Sequence, residues 1–529
     1  MARSQYVNLQ FKPGLFKNGT VYQAQGRWYD ADLMRWSNGA IGPVGGWRTW
    51  GYATTAVTGV PRTAIPWQDN SANRWVGVGT PSKLYVYDDA ASLYDITPAG
   101  FVAGRTDADP NDGYGDWKYG RSTYGDARPD LGVPLPATIW SFAMWGEDLT
   151  GCTPTDGKLY EWDTSGGTQT PQTNIATQVP TSPEYIIATL ITPERIQMCF
   201  GGVTNGGVEA DANPRKIFWS DSGNNQTWGA LATNLAGDHI VVSDGELLGG
   251  VNVRGQVLIF TTTSAHTANY VGLPYVYQFD RVGDNCGPVS INSVIVAGNI
   301  AYWMGRSANG FFMYDGYVRS IPCDVEDFIV TQMNEAQSSK VVAWHNSLFS
   351  EVVWFYPGSG TENDAYITYN YDEKHWSVGT LARTAVVSRG IFAQPILFDP
   401  VGNPYEHEVG GTYADINTID RSGSAPVTTY KTPLVPIVES GPIQLGSGDR
   451  LLSATHLIPD VSALGDITTT FYTRLYPTDS DTTHGPYTMA APTSVRFTGR
   501  TVRMKCTSNS ANAWRVGIPR LEMRPGGRR

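Results

Sequence analysis

Charged side chains are scarce in this sequence, making up 16% of its 529 residues, a low share for a soluble globular protein. Long apolar runs are missing as well. No stretch approaches the roughly 18 apolar residues that a membrane-crossing helix needs, so no membrane span is expected. The opening MARSQYVNLQ has no apolar core of the kind a secretion signal requires. No segment sustains a 3.6-residue apolar period, which excludes a helical bundle. The five cysteines (Cys152, Cys199, Cys286, Cys323, Cys506) are far apart and form no C-x-x-C pair. That excludes a disulfide framework or a zinc ribbon and leaves reduced thiols serving as small apolar residues. Positive charge is also in deficit. A net charge of −11 and a pI near 5.2 do not describe a protein that grips nucleic acid by neutralising phosphates. They are compatible with a wall that DNA slides past, since a negative surface repels phosphate.

The sequence is instead rich in rings and turns: aromatics are 12% of it, with 17 Trp and 28 Tyr, beside 58 Gly and 33 Pro. Short aromatic and β-branched runs punctuated by Gly, Asn, Asp and Pro describe an all-β protein. A hydrophobic content of 41% is enough to bury a large core and argues against disorder.

Three regions follow from the pattern. Residues 1–55 form an aromatic-rich arm without clean strand alternation. Large rings on an irregular segment imply that it lies on its own platform domain or on a neighbouring subunit. Phe11, Phe16, Trp28, Tyr29 and Trp36 are the candidate subunit or partner interface. Residues 56–425 repeat one phrase: a basic or small residue, an aliphatic-aromatic strand, then an Asp turn. It occurs as KLYVYDDAASLYDITP (83–98), KLYEWDTSGG (158–167), KIFWSDSGNNQTWG (216–229), GFFMYDGYVRSIPC (310–323) and AYITYNYDEKHWSVG (365–379). A degenerate copy is NPYEHEVGG (403–411). Spacings that fit four-stranded blades predict an irregular β-propeller of about six blades, with a polar loop insertion at 99–130. After a proline-marked break, residues 426–529 hold longer alternating strands, which predict a β-sandwich or barrel platform domain. Arg496, Arg500, Arg503 and Lys505 stand out there against an acidic background, as candidates for electrostatic contact with a partner ring.

The search for chemistry yields little. Carboxylate pairs such as Asp244 with Glu246, or Asp324 with Glu326 and Asp327, are what the loops of any β-protein supply, so glycosidase spacing is not specified. SDSGNNQTW (220–228) approaches a sialidase-type box but occurs once, and reads as a hairpin turn. The seven histidines show no metal-ligand spacing, and His407 lies between Glu406 and Glu408, which alternate away from it on a strand. DADPNDGYGD (107–116) lacks the ligand order of a calcium loop. No Walker loop, nucleophile elbow or dinucleotide fingerprint appears. No catalytic residue, metal or cofactor is expected.

The opening GLFKNGTVYQAQGRWYDADLMRWSNGAIGPVGGW resembles the start of virion proteins of tailed phages. The central VRGQVLIFTTTSAHTANYVG (253–272), the GDNCGPVS turn, NIAYWMGRSANGFFMYDGYVRSIPCDVEDFIV and YNYDEKHWSVG are similar to the packaged-DNA stabilisation proteins, or tail hubs, of short-tailed phages. The closing VRFTGRTVRMKCTS and WRVGIPRLEMRPGG look like that group too. The resemblance covers about 250 residues by pattern and order. It implies a structural, non-enzymatic virion protein assembled in the host cytoplasm. Such a protein forms a homo-oligomeric six-fold ring, or nozzle, below the portal and head-to-tail adaptor. It passes and retains DNA without sequence-specific binding, and receives tail fibres or spikes and a plug or needle. The other reading is a propeller that binds or cleaves cell-surface glycans, with Tyr114, Trp117 and Tyr119 of the insertion stacking on sugars.

Overall fold

The computed structural model describes residues 5–50, 56–108, 135–164, 174–306, 310–409, 413–414, 419–420, 427–428, 432–444, 451–508 and 513–525. Among them, seven four-stranded antiparallel sheets succeed one another between residues 47 and 407. Their innermost strands are Thr63–Gln68, Ser141–Trp145, Ala188–Ile191, Leu247–Val253, Val294–Ala297, Val342–Asn346 and Ala385–Val387. Each inner strand adjoins the next, and the seventh adjoins the first. The chain is an all-β propeller whose ring closes.

Seven blades replace the expected six, for a reason visible in the third strands. The repeated phrase marks the third strand of blades 1, 2, 3, 5, 6 and 7. Blade 4 has Ser264–Gly272 there, SAHTANYVG, which lacks both the aromatic run and the Asp turn. The phrase is a local solution for a tight outer hairpin. In KLYVYDDAAS the Asp88 carboxylate accepts the backbone N–H of Ala90 and Ser92, at 3.0 and 2.8 Å, the Asx geometry that Asp provides. Blade 4 replaces it with strands nine residues long, whose pairing does not need that turn.

The seventh blade is composite. Residues 385–407 supply three strands, and the fourth, Trp47–Thr49, comes from the N-terminal region. The arm is thus corrected from an irregular segment to a set of strands. Gln5–Asn8 pairs with Arg520–Pro525, Lys12–Leu15 pairs with Arg27–Asp32, and Arg27–Asp32 pairs with Ile437–Ser440. Its alternation was hidden because each piece is three to six residues long and the pieces are divided among different sheets.

The C-terminal region and the first arm strands build a β-sandwich. One sheet has the order Gln5–Asn8, Arg520–Pro525, Leu452–Ile458, Thr493–Gly499. The other runs Lys12–Leu15, Arg27–Asp32, Ile437–Ser440, Thr501–Ser508, Ile467–Arg474, Thr482–Thr488. In Thr501–Ser508, Val502, Met504 and Cys506 are buried while Arg503 and Lys505 alternate outward, the period-2 pattern of a strand with one wet face. Phe471 meets Phe497 across the sandwich at 4.9 Å.

Propeller and sandwich share one apolar core. It joins Leu15, Trp28 and Trp36 of the arm to Phe311, Trp354 and Trp376 of blades 5 and 6, and to Val438, Phe471 and Phe497 of the sandwich. Buried rings of this size carry 150–250 Å² each, so the two bodies are welded by burial of apolar surface. The five cysteines are buried and unpaired. Burial pushes the Cys286 thiol up to about 11 and those of Cys199 and Cys506 up to about 12, as for small apolar residues.

Candidate functional site

Three places can bear function: the axial pore, the arm junction and the platform's basic residues. The pore is formed by all seven inner strands and encloses about 440 Å³. Its described lining is uncharged, with Pro66, Phe142, Leu190, Val251, Ile295 and Val386 among the side chains around it. One mouth is bridged. The side-chain amide of Asn292, at the start of blade 5, donates to Thr63 Oγ1 at 3.0 Å and to the Arg62 carbonyl at 3.3 Å, at the start of blade 1. A volume of this size suits a small molecule. With its mouth bridged at hydrogen-bond distance between blades 1 and 5, the pore does not pass duplex DNA, whose major groove alone is about 12 Å wide.

Beside that mouth, the foot of the 99–130 insertion is pinned by buried charge. Arg62 holds Glu362 in a bidentate pair at 2.5 and 2.7 Å and donates to the Thr106 carbonyl at 2.8 Å. Lys340 donates to Asp107 at 2.5 Å and reaches Glu362 at 3.2 Å. Gln337 makes two hydrogen bonds to the backbone of Ala108, at 2.9 and 3.0 Å. Two cations face two carboxylates, so this cluster is balanced and fixes where the insertion departs. Tyr114, Trp117, Tyr119 and most of the 107–116 acidic stretch lie outside the described residues.

At the arm junction, Arg35 is buried between Glu351 of blade 6 and Glu408 after blade 7, at 2.8 and 2.6 Å. Its guanidinium lies 3.7 Å from the centroid of the Phe349 ring. Burial alone lowers the pKa of Arg35, but the two carboxylates outweigh it and hold the group cationic. Burial raises the pKa of Glu351, against the pull of Arg35. The EHE run at 406–408 is used up by arginines. Glu406 pairs with Arg48 at 2.6 Å, His407 Nε2 accepts from Arg383 Nε at 2.9 Å, and Glu408 takes Arg35. Among the described residues no group of three His, Cys, Asp or Glu is arranged to hold a metal. Of the carboxylates singled out in the sequence, Asp324 is paired with Arg27 at 2.7 Å.

The predicted interface aromatics part company. Trp28 and Trp36 are buried in the chain's own core and are not available to a partner. Phe11 packs against Trp28, tilted by 42° with ring centroids 4.5 Å apart, and Phe16 lies under the Arg27 guanidinium at 5.6 Å. Phe11, Phe16 and Tyr29 are each half-buried. These rings weld the arm to its own chain.

The four basic candidates also separate. Arg496 projects from the first sandwich sheet, between the inward Val495 and Phe497. Arg503 and Lys505 project from the other sheet, on the opposite side of the sandwich. Arg503 is held between Glu439 and Asp481, and Arg500 lies over Tyr476 at 5.0 Å. They form no single basic surface. What the sequence reading missed is that Arg496 shares its exposed face with Arg520 and Arg524, residues a long way off in the chain that the register brings together. Arg524 pairs with Ser453 and Arg520 with Ile458 on the strand that also pairs with the Arg496 strand.

No protein-family model matches the chain, and no curated protein matches it. Among solved structures it is similar to virginiamycin B lyase from Staphylococcus aureus, at 6% identity and a TM-score of 0.41, covering 67% of this chain and 98% of that one. It is also similar to a streptogramin B lyase, at 9% identity and 0.37, covering 68% and 96%. The Pan2 WD40 domain of Neurospora crassa is similar at 9% and 0.35, covering 68% and 94%. At these values the likenesses carry no argument about activity.

Proposed function

We propose that this chain is a structural subunit of a short phage tail, a hub or nozzle ring below the portal and adaptor. It is read as retaining packaged DNA and offering its outer surfaces to fibres, spikes or a plug. The sequence resemblance over residues 253–272 and 299–330 suggests this role. The observation that carries it furthest is the shared core of propeller and platform. An N-terminal arm that supplies strands to both bodies makes the chain one stiff block, and closed blades leave only short sheet edges. Stiff blocks suit a ring that resists the pressure of packaged DNA. The narrow, bridged propeller pore means that a DNA passage in such a ring lies between copies of the chain.

Particles produced without this chain test the proposal. The expected result is heads that fill and then lose their genome, measured as a loss of nuclease-protected DNA. Filled, stable particles that fail only in attaching to cells would overturn it in favour of a glycan-binding role.

A further inference from the structure

We infer that the outer face of the first sandwich sheet docks on the acidic propeller of a second copy of the chain, head to tail. This deepens the ring reading and rests on it. The charge of the chain is segregated between its bodies. Residues 426–529 carry 12 Lys and Arg against 7 Asp and Glu, and residues 1–55 carry 6 against 2, a net +9 together. Residues 56–425 carry 20 against 40, a net −20. Most arm cations are already spent on acids within the chain. Lys17 takes Asp30, Arg27 takes Asp324, Arg35 takes Glu351 and Glu408, and Arg48 takes Glu406.

Three cations without an ion pair among the described residues share one face of the platform. Arg496, Arg520 and Arg524 are exposed on one face, and no ion pair holds any of them among the described residues. The carboxylate between them, Glu522, is taken by His456 at 2.8 Å. Arg520 and Arg524 lie about 14 Å apart along their strand, at about 3.4 Å per residue. With Arg496 two strands away they frame a flat, exposed patch that includes Tyr6. An isologous contact would set this face against itself and bring like charges together. A heterologous contact sets it on the −20 propeller, and heterologous contacts generate rings when the rotation closes. Screening confines such an attraction to about 10 Å at 0.1 M salt, so assembly driven by it weakens as salt rises.

Sedimentation velocity of the full chain at low and high salt, with and without a short DNA duplex, is the test. The wild type is expected to exceed monomer mass at low salt and to return to monomer at high salt. The triple variant Arg496→Glu, Arg520→Glu, Arg524→Glu is expected to remain monomeric in both, with an unchanged near-ultraviolet circular dichroism spectrum. A control, Lys12→Glu, Lys505→Glu, Arg515→Glu, makes the same change in net charge off this face and should associate as the wild type does. Association of the triple variant, loss of association in the control, or a wild type that is monomeric at low salt overturns the inference. Duplex binding by a monomeric wild type, lost in the triple variant, would assign the face to nucleic acid and overturn it too. None of these outcomes touches the hub reading, which the loss of DNA from particles decides separately.

Discussion

Trp47 and His407 lie face to face across the strand pair that closes the propeller, their rings 5.2 Å apart and 21° from parallel. Arg383 donates to the imidazole and sits 5.2 Å from the Trp47 ring. The N-terminal strand is thus latched to the end of blade 7 by a buried stack. In a closed ring, the last blade is where the ends of the chain must be joined.

The first prediction concerns that latch. Trp47→Ala removes a buried ring and should cost about 3–5 kcal/mol, measured by urea unfolding. A loss below about 1 kcal/mol would show that the strand pairing, and not the stack, closes the ring.

The same pair sets a pH dependence. Burial, and then Arg383, lower the pKa of His407 well below its ordinary 6.5. Burial likewise lowers His239, His266, His345, His375 and His484. The unfolded chain then binds more protons than the native one below pH 6.5, so stability falls as pH drops from that value toward the native pKa values. His407 contributes a slope of about 1.4 kcal/mol per pH unit. His407→Gln should flatten the profile between pH 6.5 and 5 by about that slope, read from unfolding free energies at each pH. An unaltered slope would mean that His407 is already protonated in the native state.

How far the sequence revealed these features depends on whether the signal was local. The outer hairpins were legible because Asp88 and its counterparts make turns within a few residues, so six third strands could be located from the repeated phrase. Blade 4 escaped because SAHTANYVG carries no such turn. Blade 7 was only half visible, since its outer strand lies more than 350 residues away at Trp47. The site residues fared worse for the same reason. Trp28 and Trp36 look like surface anchors in an irregular segment, and only the partners brought by blades 5 and 6 make them core. Arg503 and Arg496 are seven residues apart, yet the reversal between their strands sends them to opposite sheets. Arg520 and Arg524 join Arg496 only through register.

The buried ion pair at the arm junction gives a third prediction. Arg35→Ala leaves Glu351 and Glu408 without their cation inside the protein, and should cost about 3–5 kcal/mol. Arg35→Met with Glu351→Gln and Glu408→Gln should recover much of that loss. Equal stability of the single and triple variants would contradict the assigned pairing.

The two groups of basic residues should behave differently. Arg503→Ala leaves Glu439 without its ion-pair partner, while Asp481 keeps Arg474, and is expected to cost about 1–3 kcal/mol. Arg496→Ala, on the exposed face, should stay within about 0.5 kcal/mol of the wild type. Thermal unfolding of both variants at one pH makes the comparison, and matching losses would put Arg496 in the structural network.

The cysteines offer a probe of integrity. All five are buried with thiols pushed up in pKa, so a thiol-specific reagent should label none in the native protein at pH 8 and all five in denaturant. Fast labelling of Cys286 in the native state would show that blades 4 and 5 open.

The most direct test of the hub proposal is electron microscopy of intact particles labelled with an antibody to this chain. The account predicts label at the single vertex below the portal, with a ring of density there. Label at fibre tips, or on no part of the particle, would contradict it.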